Sequence, residues 1–162
     1  MTMIISGDNG LTYPNSTTQA SAGVVLQVVN ATYSTSTGTS SLTYVDSGLS
    51  ATITPKFATS KILVIAQCTG FNYSASATSN LNYQLVRNST AIYTPPTYSQ
   101  YVNTGGSSAQ LIVTSTLTFL DSPATTSATT YKLQINVANA SYTATAQYGN
   151  APSVITLMEI AG

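Results

Sequence analysis

Thr130-Tyr131-Lys132-Leu133-Gln134-Ile135-Asn136-Val137-Ala138 decides the fold class. Successive side chains of an extended chain point to opposite faces. Tyr131, Leu133, Ile135 and Val137 therefore share one side, and Lys132, Gln134 and Asn136 share the other. This is a strand with one buried face and one wetter face. The same alternation recurs outward in both directions. Ile62, Val64, Ala66 and Cys68 line one face of 61–69, and Leu81, Tyr83 and Leu85 one face of 80–87. Leu117 and Phe119 point together, opposite Thr116 and Thr118.

Extended to the whole chain, the pattern predicts strands near 24–33, 42–46, 49–54, 61–71, 80–87, 90–94, 109–121, 129–138, 141–148 and 153–160. Turn formers separate them: Ser47-Gly48, Pro55, Asn88-Ser89, Gly105-Gly106, Ser122-Pro123, Asn139-Ala140 and Gly149-Asn150. No segment carries the apolar i, i+3, i+4, i+7 stripe of a long helix. Many short strands with no helices between them predict an all-β chain, an antiparallel β sandwich of jelly-roll type. A seven-stranded immunoglobulin-like sandwich is the alternative, without the cysteine pair and tryptophan of antibody domains. Residues 24–162 form this domain. Residues 1–23 have weak periodicity and read as an extended N-terminal arm, ordered by lying on another surface such as a neighbouring subunit.

Two loops stand apart. Residues 71–79 are small and polar. Residues 94–108 are stiffened at Pro95-Pro96 and freed at Gly105-Gly106, with Tyr98, Tyr101 and Asn103 between as candidate surface contacts. A loop of that length is commonly functional.

Charge is scarce. Four Lys+Arg balance four Asp+Glu, and 5% of the 162 residues are charged. An average soluble domain carries roughly 25%. Thr (28) and Ser (22) supply about 31% of the chain. So few cations cannot make the basic face that displaces counterions from phosphates, so nucleic acid is not an expected partner. Nor does the chain contain a basic leader or an apolar run long enough for a membrane helix, so no membrane partner is expected. Zero net charge favours association. Such a surface either hydrates through hydroxyls or is covered in an assembly.

Catalytic chemistry finds few agents. Histidine, the usual acid–base group, is absent, which also leaves serine without its usual base. The carboxylates Asp8, Asp46, Asp121 and Glu159 are not paired locally and read as solvated strand ends and turn residues. Cys68 is the lone cysteine, on an apolar face, and reads as a small buried hydrophobe. Without His or paired Cys, no metal site of that type assembles, and no cofactor is expected. Five Asn-x-Ser/Thr triplets (Asn15, Asn30, Asn72, Asn88, Asn139) are close to the number chance supplies at this hydroxyl content. Among the eleven tyrosines, Tyr83 and Tyr131 read as core residues, Tyr98 and Tyr101 as surface ones.

Residues 5–20, Ile-Ser-Gly-Asp-Asn-Gly-Leu-Thr-Tyr-Pro-Asn-Ser-Thr-Thr-Gln-Ala, resemble a segment of tailed-bacteriophage structural proteins, roughly S-G-x-x-G-[LIV]-T-[FY]-P-[DN]-x-T-x-Q. Gly48–Pro55 followed by Ser60–Val64, then Leu85–Thr90, Asp121–Pro123 with Thr130–Leu133, and Ser153–Ile160 are similar to elements of phage fibre and decoration proteins, including cyanophage ones. The resemblance implies a non-enzymatic virion protein, made in the host cytoplasm, that forms a homotrimeric β knob. Its partner would be the major capsid protein or another virion protein. Because the segment begins almost at Met1, with no stretch for a shaft, a capsid cement or decoration protein is expected rather than a long tail fibre. Ile5, Leu11, Tyr13 and Pro14 are the candidate arm anchors. The alternative is a short tail-fibre tip whose loops touch host surface polysaccharide.

Overall fold

Thr, Val, Ile and Tyr at alternate positions suit a pleated surface, and among the described residues they build fourteen strands. The computed structural model describes residues 23–74, 78–103 and 105–162, and the backbone of 4–6, 10–12 and 18–19. The strands are β1 (Ile4–Ser6), β2 (Gly10–Thr12), β3 (Thr18–Gln19), β4 (Val25–Tyr33), β5 (Thr37–Thr39), β6 (Val45–Ile53), β7 (Lys61–Ser74), β8 (Thr78–Arg87), β9 (Thr90–Tyr93), β10 (Gln100–Asn103), β11 (Ala109–Asp121), β12 (Thr129–Asn136), β13 (Ala144–Ala146) and β14 (Ser153–Ile160).

Several short strands lie end to end. β4 with β5, β9 with β10, and β13 with β14 each share one lane, so the body has eight lanes in two sheets. Numbered in chain order, lanes 2-7-4-5 form the front sheet (β6, β12, β8, β9/β10). Lanes 1-8-3-6 form the back sheet (β4/β5, β14/β13, β7, β11). Every paired strand is antiparallel. The chain changes sheet at each step except between lanes 4 and 5, which are a hairpin. This order is two nested Greek keys, the jelly roll, and the all-β sandwich expected from the alternation is the fold observed.

The core lies between the sheets. Leu49, Ile53, Leu81, Tyr83, Leu85, Tyr131, Leu133 and Ile135 of the front sheet meet Ile62, Val64, Ala66, Cys68, Ile155 and Leu157 of the back sheet. Full burial of each large apolar side chain contributes about 1.5–3 kcal/mol.

Four expectations change. Ser47-Gly48 is not a turn: β6 runs through it, merging the strands expected at 42–46 and 49–54. Gly48 takes φ +89° beneath the Tyr33 ring, where an added Cβ would lie 2.2 Å from Cε1. The register slips opposite it, between Lys132 and Gln134. The loop expected at 71–79 mostly joins β7 and β8, leaving 75–77 outside the described residues. The loop expected at 94–108 contains β10, which pairs with β8 from Gln100↔Leu81 to Asn103↔Thr78. What remains is a bulge at 94–99 interrupting lane 5. The arm's described residues are not one extended run: β1, β2 and β3 pair as a small meander.

Candidate assembly site

The outer faces of the two sheets differ in chemistry. On the back sheet, Met158 stands opposite Val28 on one side and Leu63 on the other, and Leu63 stands opposite Leu120. Val28, Met158, Leu63 and Leu120 thus form one apolar row across all four lanes. Val28 is 56% exposed and Leu120 48%. The next row is Asn30, Thr156, Ile65 and Thr118, where Asn30 Nδ2 donates to Thr156 Oγ1 at 2.8 Å. Further along, the Thr69 and Thr114 hydroxyls hydrogen-bond at 2.9 Å. Among the described residues of this face, Lys61 is the one charge.

The front sheet carries ions and amides outside. Asp46 Oδ2 accepts from Lys132 Nζ at 2.8 Å and Oδ1 from Gln134 Nε2 at 2.7 Å. Partial burial works to raise the Asp46 carboxyl, but these donors outweigh it and hold it below its ordinary value. Asn82 Nδ2 donates to Asn136 Oδ1, and Asn80 Nδ2 to Asn82 Oδ1, making an amide chain along lanes 4 and 7.

Tyr98 and Tyr101 meet beside that chain. Their rings are 4.8 Å apart and inclined at 59°, and both are roughly half exposed. Tyr98 sits at φ +74°, a region a bulky L residue avoids. Its backbone N–H is pinned to Asn82 Oδ1 at 2.7 Å. Asn103 does not join the pair: its Oδ1 caps the following turn at Gly105 N, 3.1 Å.

Behind the 94–99 bulge runs a slot of about 450 Å³. Pro95, Pro96, Tyr98 and Ser99 wall one side. Four consecutive residues of β11, Ser115 to Thr118, wall the other. Tyr93, stacked on Phe119 at 5.4 Å, helps close the sandwich edge beside it.

The carboxylates differ from the solvated reading for Asp121 and Glu159. Asp121 is 6% exposed and Glu159 fully buried. Each lies opposite Ile62 on the inner face of the back sheet, so two strand spacings, about 10 Å, separate their backbones. Arg87 Nη1 donates to both Asp121 oxygens at 2.9 Å, and the Tyr131 hydroxyl to Oδ2. Burial works to raise Glu159. Hydrogen bonds from Gln27 and the Lys56 and Phe57 amides outweigh it and hold the carboxyl below the usual range. Both groups are consumed by structural donors. Asp46 alone of the three is open, and it lies on the opposite side of the molecule. Among the described residues no cluster of three or more His, Cys, Asp or Glu side chains could hold a metal.

Of the sequence-derived candidates, Tyr98 and Tyr101 come together. Ile5 and Leu11 are paired with each other through the backbone of β1 and β2. Tyr13, Pro14 and Asp8 lie outside the described residues. Tyr83, Tyr131 and Cys68 are buried in the core as expected. Sequence reasoning missed the apolar row. Its signal was present one strand at a time, as outward positions such as Leu63 and Leu120 that are not polar, but alignment across lanes needed the register.

No family model and no curated protein matches the chain. Two solved structures of infectious bursal disease virus align with it. One, "Structure of infectious bursal disease virus Gx strain", has 15% identity and a TM-score of 0.41, covering 100% of this chain and 43% of that one. The other, the "VP2 subviral particle", has 18% identity and a TM-score of 0.40, covering 97% and 45%. This chain spans less than half the length of either, and its jelly-roll assignment rests on its own strand order.

Proposed function

We propose that the chain is a non-enzymatic structural protein of a virus particle, a trimeric jelly-roll knob held on the capsid surface as a cement or decoration protein. The observation that carries this reading is the Val28–Met158–Leu63–Leu120 row, apolar across all four lanes of one sheet, with Val28 and Leu120 exposed and Met158 and Leu63 half-buried. On one side follows the Asn30, Thr156, Ile65 and Thr118 row, and among the described residues of this face Lys61 is the one charge. A contiguous apolar patch on a soluble protein marks a contact surface, and threonine hydroxyls pack across such a contact without repulsion. The front sheet, with its Asp46–Lys132 pair, is the face left to water. The phage-like segment at residues 5–20 supports the virion setting.

The test is to place Lys at both Val28 and Leu120, which are exposed, and to mix the variant with shells lacking the protein. Binding weaker by at least tenfold, with an unchanged circular dichroism spectrum, is the expected result. Full retention of binding overturns the reading. Labelled protein seen at the tail instead of the shell favours the second reading, a fibre tip binding host polysaccharide through the exposed Tyr98–Tyr101 pair.

A further inference from the structure

The back sheet ends in two edge strands, β4 and β11, each paired on one side only among the described residues. β11 is thirteen residues long and pairs only with β7 among the described residues. In an antiparallel strand every second residue turns its N–H and C=O away from its partner. The outer side of β11 is thus a row of donors and acceptors; the Gln100 side-chain amide takes the Val113 carbonyl at 2.8 Å, and the stretch beyond it, Ser115–Thr118, lines the slot. Natural proteins blunt such edges with lysine, proline, a bulge or a short strand. None of these devices is present: Ala109 to Leu120 contains no charge and no proline, and the register against β7 is unbroken over all thirteen residues. The slot beside Ser115–Thr118 keeps this edge accessible where lane 5 bulges away. Its far wall carries an unsatisfied group, because the buried Ser99 hydroxyl has no hydrogen-bond partner.

β1 is an edge strand as well. In the order β1-β2-β3, β1 pairs with β2 alone among the described residues. β1 is Ile4-Ile5-Ser6, short, uncharged and strand-forming. Three residues of strand match the four-residue slot. Fully extended, the 22 residues preceding Gly23 would span about 75 Å, and the β1–β2–β3 pairing shortens that reach. The chain leaves the body at the Gly23–Ala161 backbone hydrogen bond, 3.0 Å, on lane 1, which is the opposite edge of the back sheet from β11. A head-to-tail contact from one edge of one copy to the other edge of the next closes into a ring when the rotation allows.

We propose that β1 of one copy adds as a strand to the free edge of β11 in the next copy, at Ser115–Thr118, and that this strand addition joins the subunits. Recognition is by main-chain hydrogen bonds in an uncharged slot. The inference rests on the assembly reading above and names the contact that builds the assembly.

The experiment uses full-length chains with single cysteines, Cys68 being buried. One chain carries Thr116→Cys or Thr118→Cys on the exposed face of β11. The other carries Ile4→Cys or Ile5→Cys in turn, because neighbouring strand positions face opposite sides. After mixing and mild oxidation, a disulfide between the two different chains is expected for one position of each pair. A companion variant, Thr116→Lys with Thr118→Lys, should be folded and monomeric by light scattering. A β11–β11 disulfide between identical chains overturns the proposal in favour of direct edge-to-edge pairing. A disulfide formed only within one chain carrying both cysteines overturns it as well. An oligomer that persists with no β1–β11 disulfide overturns the strand addition and leaves the assembly reading standing. A wild-type chain that is monomeric at every concentration, on and off shells, overturns both.

Discussion

The Tyr131 hydroxyl donates to Asp121 Oδ2 at 2.7 Å across the gap between the sheets. Tyr131 is a front-sheet residue and Asp121 ends β11 of the back sheet, so with Arg87 they tie the two layers at one end of the core. Removing a donor from a buried carboxylate costs about 1.5–3 kcal/mol. Tyr131→Phe is therefore expected to lower the melting temperature by about 5 °C. An unchanged melting curve contradicts the tie. Burial, then the adjoining Asp121, raise the Tyr131 phenol well above its ordinary value of 10, and burial raises Tyr83 likewise. Above pH 10 the unfolded chain releases these protons while the native chain keeps them. Stability is thus fully present below pH 10 and falls as pH rises beyond it. The phenylalanine variant should show a shallower alkaline decline in a denaturant series, and equal slopes contradict the assignment.

Acid acts through Glu159 and, more weakly, Asp46. Both carboxyls are held below their ordinary values in the folded state. Their stabilising contribution is present above about pH 4.5 and is lost as pH falls through the lowered folded values. With no histidine in the chain, the urea midpoint should be flat from about pH 6 to 9. Glu159→Gln turns an amide N–H toward donors that now meet a carboxylate, so it should cost about 1–3 kcal/mol and shorten the acid limb. A midpoint that moves by more than a few tenths molar between pH 6 and 8 contradicts this account.

Gly48 is required twice over, by φ +89° and by the Tyr33 ring above it. Gly48→Ala should destabilise by about 2–4 kcal/mol, combining left-handed strain with overpacking. Tyr33→Ala removes the clash but not the strain, so the double variant should recover part of the loss relative to the sum. Strict additivity in a double-mutant cycle argues against the contact.

Attachment should be nearly independent of salt. The back-sheet face offers hydroxyls and apolar groups, and exposed charges are what screening weakens. A hundredfold fall in shell affinity between about 50 and 200 mM salt contradicts a contact of this chemistry. Deleting residues 1–22 should leave the jelly roll folded by circular dichroism while abolishing attachment. Unfolding of the truncated chain would place that segment in the core.

The strands and their buried faces were legible from the residues. Period-two alternation at 61–69, 80–87 and 129–138 marks the inward side chains directly, because in a strand burial depends on parity alone. Even the identity of Tyr83 and Tyr131 as core residues follows. Strand ends and loops were less legible where local signals competed with pairing. Ser47-Gly48 reads as a turn, yet neighbours on β12 carry the strand through it. Thr94 to Ser108 reads as one loop, yet β8 offers an edge that captures Gln100–Asn103. The site was least legible. Composition alone determined that this surface is poor in charge, excluding a basic nucleic-acid face. Only the tertiary structure decided where that lack of charge matters. Cross-strand register aligned Val28, Met158, Leu63 and Leu120 from four distant segments, and lane order left β11 with no strand on its outer side among the described residues. These are pairings between residues up to 130 positions apart, and no periodicity within a strand encodes which other strand lies beside it.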